Sequence, residues 1–248
     1  MYQFFVEPGQ IAGQEAVITG SDVNHIKNAL RMRVGEQVRI SDNEGKGFLC
    51  EIAEIGKEQV RLQIQKACQG TELPVRVTLF QAIPKGDKME WAIQKSIELG
   101  VYEIIPVAMQ NCVVKLDAKR AEAKRTRWQA IAESAAKQSK RSIIPKIGSV
   151  RSFWEAMEDA KGLDTRLFPY EQERGMAHTR EVFQKIKKEG TVGVFIGPEG
   201  GFSSQEVAAA KAEEAKGQME IISLGNRILR TETAASAVLA MLAYHLED

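Results

Sequence analysis

The stretch Val192–Val207, VGVFIGPEGGFSSQEV, decides the fold class of this chain. It begins with a short apolar run typical of a buried strand and continues into a turn that contains three glycines. The following segment starts with Ser203 and carries Glu206 three residues later, a spacing that predicts a capped helix N-terminus. A buried strand, a glycine turn and a helix in this order indicate an α/β domain with a parallel sheet covered on both faces.

The rest of the chain shows two styles of hydrophobic pattern. From Val75 onward, apolar runs without strict alternation are separated by segments of helical period, namely VRVTLFQAI, YEIIPVAM, TRLFPY and MEIISLG. Before residue 68, alternating segments (QVRISD, FLCEIAEI, QVRLQIQ) surround one amphipathic helix, SDVNHIKNALRM, with Ser21 as its expected N-cap. We therefore predict a small β-rich barrel or sandwich over residues 1–72, a linker near residues 69–74, and an α/β domain over residues 73–248.

Composition excludes several classes of protein. The chain has 248 residues, a formal net charge of +1 and three cysteines that form no C-x-x-C pair. Neither a disulfide framework nor a zinc cluster is expected from this pattern, and the three histidines have no suitably spaced ligands. Because there is no signal-peptide pattern and no apolar run of about 18 residues, we expect a cytoplasmic protein without membrane or metal partners.

Positive charge is concentrated in one segment. Residues 115–141 hold nine Lys and Arg against three Asp and Glu. We predict that Lys124, Arg125 and Arg127 contact nucleic-acid phosphates, although a solvated helix face has the same composition. Arg31 and Arg33 are expected to contribute.

A second glycine turn lies in LGNRILRTETAA, residues 224–235, where Gly225 follows an apolar strand and a helix capped by Thr231 or Thr233 is expected to begin. Two such turns at the same end of a parallel sheet form two walls of one pocket. Neither turn has the glycine spacing of a dinucleotide-binding motif or of a P-loop. The sequence therefore disfavours nicotinamide dinucleotides and nucleoside triphosphates as the ligand of these turns. Plain tight turns with surface arginines remain the structural alternative.

Several segments together resemble the RsmE family of ribosomal RNA methyltransferases, of the SPOUT class; they are HIKNALRMRVGE, KGDKMEWAIQKSIELGV, QSKR, GPEGGF and LGNRILRTETAA. The resemblance implies a PUA-like β-barrel that binds RNA, followed by an α/β domain with a deep trefoil knot. It also implies a homodimer that transfers a methyl group from S-adenosylmethionine (SAM) to N3 of a uridine in 16S rRNA of the small ribosomal subunit.

One departure from the family pattern concerns charge. The family has a pattern like Glu-Gln-Ser-Gly-Arg where this chain has Lys137, Gln138, Ser139, Lys140 and Arg141. The second, third and fifth residues match, so the resemblance carries over the role of the motif, whereas the local electrostatics differ.

The resemblance also implies roles for individual residues. SAM is expected to contact the two glycine loops through Gly197, Pro198, Glu199, Gly200, Gly201, Leu224, Gly225, Ile228 and Leu229. Arg230, Arg141 and Gln138 are the expected catalytic residues, because a cation can stabilise negative charge on uracil O2 or O4. Arg227 is expected to face rRNA. The sequence does not identify a base, for which Glu199 and Glu232 are the candidates.

The last helix raises the question of dimerisation. The segment AASAVLAMLAYHL, residues 234–246, is apolar almost all round, so it must be buried on several sides. Its own sheet could cover it, but the resemblance favours a homodimer through this helix. Two other functions stay open: a nucleotide-cofactor enzyme acting on small molecules, and a catalytically silent RNA-binding or ribosome-assembly protein with a relic pocket.

Overall fold

The computed structural model describes residues 1–247 and contains two compact units. Residues 1–72 and 134–144 form the N-terminal unit, and residues 73–133 with those from Pro145 onward form the C-terminal unit. The contiguous division predicted at residue 72 does not include the return of residues 134–144 to the N-terminal unit. Side-chain hydrogen bonds hold this segment in the N-terminal unit, such as the one that Ser41 Oγ donates to the Ser142 carbonyl at 2.6 Å. These bonds join residues about 100 positions apart, so they cannot be predicted from the order of the sequence.

The N-terminal unit is built on a six-stranded sheet with the order β1-β4-β5-β6-β3-β2. Its strands are β1 (Gln3–Phe5), β2 (Ile11–Ala12), β3 (Glu15–Thr19), β4 (Gln37–Ser41), β5 (Gly47–Ile55) and β6 (Gln59–Cys68). Only the β1–β4 pair is parallel among them. The β-rich structure predicted from the alternating pattern is confirmed. The alternate residues Val38 and Ile40 of β4 are fully buried in the core of this unit.

The helix of the N-terminal unit is shorter and less regular than predicted. A four-residue helix, α1 (Ser21–Asn24), continues into a π-helical turn, His25–Ala29. The prediction that Ser21 caps it is wrong, because Gly20 occupies the N-cap position with a φ of +71° and Ser21 is already helical. Val23 and Ile26 are the buried side chains that attach this helix to the core.

The C-terminal unit confirms the predicted α/β class. Its strands pair only in parallel, in the order β10-β8-β7-β12-β11-β13, with β9 paired to β8. They are β7 (Arg76–Ala82), β8 (Glu103–Ala108), β9 (Lys146–Ile147), β10 (Arg151–Ser152), β11 (Thr165–Pro169), β12 (Thr191–Ile196) and β13 (Glu220–Ile222). The stacked rings of Phe80 and Phe195, 4.5 Å apart, join neighbouring strands in the core.

Six further helices accompany the parallel sheet. They are α2 (Lys88–Glu98), α3 (Ala118–Ser139), α4 (Phe153–Asp159), α5 (Ala177–Gln184), α6 (Ser204–Glu214) and α7 (Thr231–Leu246); short 3₁₀ turns occur at Pro8–Gln10 and Ala160–Gly162. Within the described residues, none of the helices combines the length and hydropathy needed to cross a bilayer.

The two helices that follow the glycine turns begin differently. The predicted capping box of α6 is confirmed, because Ser203 accepts a hydrogen bond from the Glu206 N–H and Glu206 accepts one from the Ser203 N–H. For α7 the prediction is wrong: Arg230 is the N-cap residue and makes no side-chain cap. The Thr231 hydroxyl instead donates to the Gly197 carbonyl at 2.6 Å, so it links the two glycine turns.

Candidate functional site: a cavity at the carboxyl ends of three strands

A cavity of about 420 Å³ lies in the C-terminal unit where β11, β12 and β13 end. Its lining comes from the ends of these strands and the segments that follow them, residues 169–171, 196–202, 224–225 and 227–231, with Ala234 of α7. Open α/β sheets bind ligands at this edge. The volume falls within the range of about 300–1,000 Å³ that is typical of small-molecule sites.

The cavity brings together the residues predicted to bind the cofactor. Every one of them contributes to the lining: Gly197, Pro198, Glu199, Gly200, Gly201, Leu224, Gly225, Ile228 and Leu229. Arg227 and Arg230 line it as well. The two glycine turns are therefore two walls of one cavity, as expected for turns at one end of a parallel sheet.

The loop Gly197–Gly201 is held from several directions. Thr231 donates to the Gly197 carbonyl, and Asn111 Nδ2 donates to the Gly201 carbonyl at 3.0 Å. Glu199 accepts hydrogen bonds from Lys88 Nζ at 2.9 Å and from the Lys85 N–H at 3.2 Å. These contacts from distant segments fix the loop before any ligand arrives, and such preorganisation lowers the entropy lost on binding.

Two of the glycines are required by backbone conformation. Gly201 has a φ of +70°, and a Cβ there would lie 3.1 Å from Glu171 Oε1. Gly225 has a φ of +111°. Residues with a side chain rarely adopt such angles, so both turns keep their course only with glycine.

The two candidate bases are placed unfavourably. Burial raises the pKa of Glu199, but hydrogen bonds from Lys88 and from the backbone N–H groups of Glu199 and Lys85 outweigh it, and the pKa lies below its usual value. A carboxylate held ionised in this way is a weak base. Glu232 does not line the cavity; its Oε2 is buried without a hydrogen-bond partner among residues 1–247.

Two arginines carry the positive charge of the cavity mouth. Arg227 and Arg230 are exposed, and no carboxylate within residues 1–247 forms an ion pair with either. Arg230 is the N-cap of α7, so its side chain starts at the positive end of a 16-residue helix. The mouth is therefore suited to a ligand that is negative or becomes negative during reaction.

Arg141 is buried and paired with a carboxylate in this chain. The residue is 2% exposed, and its Nε donates to the Glu72 carboxylate at 2.9 Å. Its carbonyl accepts a hydrogen bond from Gln3 Nε2 at 2.6 Å. Within this chain the guanidinium is paired with a carboxylate of the N-terminal unit, and the predicted contact with uracil stays a prediction. Gln138 is exposed in the last turn of α3, and neither residue lines the cavity.

Of the predicted RNA-binding residues, Arg127 is exposed, whereas Lys124 and Arg125 are half-buried, and some of them are already paired. In α3, Arg125 Nε bonds Glu122 at 2.9 Å and Arg127 pairs with Glu90 at 2.8 Å, while the Lys124 ammonium lies 5.6 Å from the Trp128 ring centroid. Part of the excess charge is thus offset within the protein. Arg31 and Arg33 are exposed in the N-terminal unit.

Sequence reasoning missed one wall of the cavity. Tyr170 and Glu171 follow β11, and Phe202 stacks on Phe168 with ring centroids 4.0 Å apart. The apolar segment TRLFPY predicts this strand. Because ligands bind beyond the carboxyl ends of parallel strands, the same rule also predicts Tyr170 and Glu171 as lining residues. In the described part of the chain, no group of three or more His, Cys, Asp or Glu could hold a metal ion.

Comparison with known proteins gives matches over the whole length. A family model described as an RNA methyltransferase domain matches residues 71–243, and one described as an RNA methyltransferase PUA domain matches residues 18–65. Ribosomal RNA small subunit methyltransferase E of Bacillus subtilis is 35% identical over 254 residues, covering 100% of this chain and 98% of the relative. The protein of that name from Mesomycoplasma hyopneumoniae is 33% identical, covering 95% and 96%.

A solved structure adds information about the cofactor. Ribosomal RNA small subunit methyltransferase E from Neisseria gonorrhoeae, bound to S-adenosyl methionine, superposes with a TM-score of 0.81 at 30% identity. The match covers 98% of this chain and 97% of that one.

Proposed function

The chain belongs to the ribosomal RNA small subunit methyltransferase E family, and from this premise we propose that it methylates N3 of a specific uridine in 16S rRNA. The chain is a SAM-dependent methyltransferase of small-subunit rRNA, as its family is. The observation that carries the proposal is the single cavity formed by the two glycine loops, with two arginines at its mouth. The uridine and its N3 position rest on the resemblance.

The cavity fits SAM chemically. Leu229, Ile228 and Phe202 offer apolar surface for an adenine ring, and the backbone groups of Gly197–Gly201 and Leu224–Leu229 offer hydrogen bonds to its edge. SAM, when bound, supplies an electrophilic methyl group on sulfur. The contribution of the protein is then to hold the methyl and the nucleophile in line, which is positioning work.

Arg230 is proposed to stabilise the reacting uracil. Loss of the N3 proton spreads negative charge onto O2 and O4, and a fixed guanidinium at the cavity mouth lowers the energy of that charge. Arg227 in the same loop contacts rRNA phosphate. The low pKa of Glu199 disfavours it as the proton acceptor, so its role is to anchor the loop through Lys88.

Binding of rRNA is proposed to use the PUA domain and the basic face of α3. The contacts are those named from the sequence, with Arg31 and Arg33 in the N-terminal unit and Lys124, Arg125 and Arg127 in α3. We propose a cytoplasmic location, which an rRNA substrate supports. The trefoil knot that the resemblance implies remains a prediction.

The test is methyl incorporation from labelled SAM into small ribosomal subunits that lack the modification, followed by mapping of the methylated nucleoside. We expect one N3-methyluridine in 16S rRNA. Gly225→Val is the control. Valine is strongly disfavoured at a φ of +111°, so the loop Leu224–Leu229 should change its conformation and lose SAM binding. Methylation on C5 or on ribose would contradict the N3 assignment. Subunit binding without any incorporation would favour the catalytically silent RNA-binding protein.

A homodimer through α7 is proposed from the face of the helix that its own unit leaves uncovered. The buried positions pack within the C-terminal unit, where α7 contacts α2 and the sheet; they are Thr231, Ala235, Val238, Leu239, Leu242 and Leu246. The opposite stripe consists of Thr233, Ala237, Ala240 and Tyr244, the last 90% exposed. These positions are spaced by three or four residues, carry no charge, and are typical of a helix face covered by a second copy.

We expect Ala240→Arg to convert the dimer into a folded monomer. The arginine would place a charge in the centre of the proposed interface, whereas position 240 is exposed in the single chain, so folding is spared. Sedimentation at micromolar concentration measures the change. Ala208→Arg, at an exposed alanine of α6, is the matched control and should stay dimeric. A monomeric unmodified protein would rule the interface out.

A further inference from the structure

Gln81 is a fully buried amide in an interior strand of the parallel sheet. It lies near the carboxyl end of β7, and its chain neighbours Phe80 and Ala82 belong to the hydrophobic core of the C-terminal unit. Its Oε1 is buried and has no hydrogen-bond partner among residues 1–247. An amide oxygen buried in this way costs free energy, a cost that an apolar side chain of similar length would avoid. The amide of Gln81 is therefore the feature to explain.

The orientation of the Gln81 amide is fixed by its own strand. The Nε2 group donates one hydrogen bond to the Ala82 carbonyl at 3.0 Å and another to Thr231 Oγ1 at 2.9 Å. Turning the amide over would bring its oxygen against the Ala82 carbonyl, and two acceptors repel each other. The Thr231 hydroxyl oxygen therefore always faces a donor.

The hydrogen bond from Gln81 sets the direction of the next one. A hydroxyl has one hydrogen to donate. Because Thr231 Oγ1 accepts from Gln81, that hydrogen points to the Gly197 carbonyl, which lies 2.6 Å from the hydroxyl oxygen. Thr231 is 4% exposed, so water competes little for this contact. Gln81, Thr231 and Gly197 thus form one directed chain of hydrogen bonds.

This chain of hydrogen bonds joins the two walls of the cavity. Gly197 follows the last residue of β12 and begins one glycine loop, while Thr231 is the first residue of α7 and ends the other. Both residues line the cavity, whereas Gln81 does not. Gln81 can therefore influence a bound ligand only through Thr231.

We propose that Gln81 is a positioning residue for SAM, which acts through Thr231 to hold the two glycine loops at the separation that the cofactor requires. A loop pair fixed before binding loses less conformational entropy when SAM arrives. The contact is the same before and during methyl transfer, so the effect falls on SAM binding and not on the chemical step. SAM binding is measured without RNA, and the test is therefore independent of the proposed uridine and its N3 position.

The experiment begins with Gln81→Met, which removes both donors and the unpartnered oxygen but keeps the length of the side chain. We expect little change in Tm, because the lost hydrogen bonds are offset by the loss of a buried unpaired acceptor. The Kd for SAM, measured by calorimetry, should rise about three- to tenfold, the scale of one hydrogen bond. The KM for SAM should rise by a similar factor, while kcat at saturating SAM and small subunits should stay within about twofold.

Variants of Thr231 test the second link of the chain. Thr231→Val removes the hydroxyl and should raise the Kd for SAM, whereas Thr231→Ser keeps the hydroxyl and should recover most of the affinity. Because Gln81 acts through Thr231, the double variant Gln81→Met with Thr231→Val should bind SAM about as weakly as Thr231→Val alone.

Two matched controls remove similar hydrogen bonds away from the cavity. Gln129→Met removes an amide that donates to the Pro145 carbonyl at 3.2 Å and accepts from the Ile147 N–H at 2.8 Å. Thr191→Val removes a hydroxyl that donates to Asp164 at 2.7 Å at the amino end of β12. Neither residue lines the cavity, so both variants should lower Tm and leave the Kd for SAM unchanged.

Three results would each overturn the proposal. The first is an unchanged Kd for SAM in folded Gln81→Met. The second is a double variant whose loss of affinity equals the sum of the two single losses, since the two residues would then act separately. The third is an equal loss of SAM affinity in Gln129→Met or Thr191→Val, which would attribute the effect to lower stability in general.

Discussion

Arg230→Ala is expected to lower the single-turnover rate of methyl transfer by about a hundredfold or more, the scale for losing one donor that stabilises developing charge. Arg230 lines the cavity formed by the two glycine loops, Gly197–Gly201 and Leu224–Leu229, and it has no carboxylate partner in the described chain. SAM affinity should barely change, because the contact is made to uracil in the transition state. The helix should keep its stability, since Arg230 makes no side-chain cap on α7.

The measurement is made at saturating SAM and saturating small subunits. Arg227→Ala is the matched control from the same loop; its defect should disappear at saturating subunits if Arg227 only contacts phosphate. Arg230→Lys should recover little activity, because an ammonium cannot reproduce the planar guanidinium fork. Near-normal methylation by Arg230→Ala at saturation would contradict the assignment.

The fold class could be predicted because buried parallel strands have continuous apolar runs. The segments around Val77, Ile104, Leu167 and Val194 all form strands of one parallel sheet. The strand order could not be read from the same runs, since pairing joins segments far apart in sequence; β7 lies between β8 and β12. Helix starts depend on local backbone geometry, which is why Gly20 and Arg230 hold N-cap positions that the sequence assigned to hydroxyl residues.

The site was predictable to the extent that it depends on glycine. Gly201 and Gly225 mark turns that need positive φ, and such turns after strands indicate a ligand edge. The ion-pair partner of a charged side chain could not be predicted in this way. The sequence predicts a catalytic role for Arg141, but it does not show that its guanidinium pairs with Glu72, which lies 69 residues earlier in a segment with the composition of a linker. Composition cannot reveal a pair of that separation.

The Arg141–Glu72 pair leads to the second large effect. Arg141→Met should lower the free energy of unfolding of the N-terminal unit by up to about 3 kcal/mol, the lower end of the range for removing one member of a buried ion pair, because the Glu72 side chain is 26% exposed and partly screened by solvent. Glu72 would keep its hydrogen bond from the Ser142 N–H at 2.7 Å but lose the charge that compensates it. Arg141→Lys should recover part of the loss, because a single ammonium replaces a two-pronged contact. Denaturant unfolding of the complete chain, followed by probes in each unit, measures the change.

The double variant Arg141→Met with Glu72→Gln distinguishes a structural role from a catalytic one. If the arginine serves mainly to neutralise Glu72, removing the Glu72 charge as well should restore much of the lost stability. The methylation rate, measured at a temperature where the protein is folded, should then recover together with the stability. A catalytic arginine would behave in the opposite way, since restoring the fold would not restore the guanidinium at the substrate. If Arg141→Met unfolds like the unmodified protein but transfers methyl a hundredfold more slowly, the structural role is overturned and the predicted catalytic role is supported.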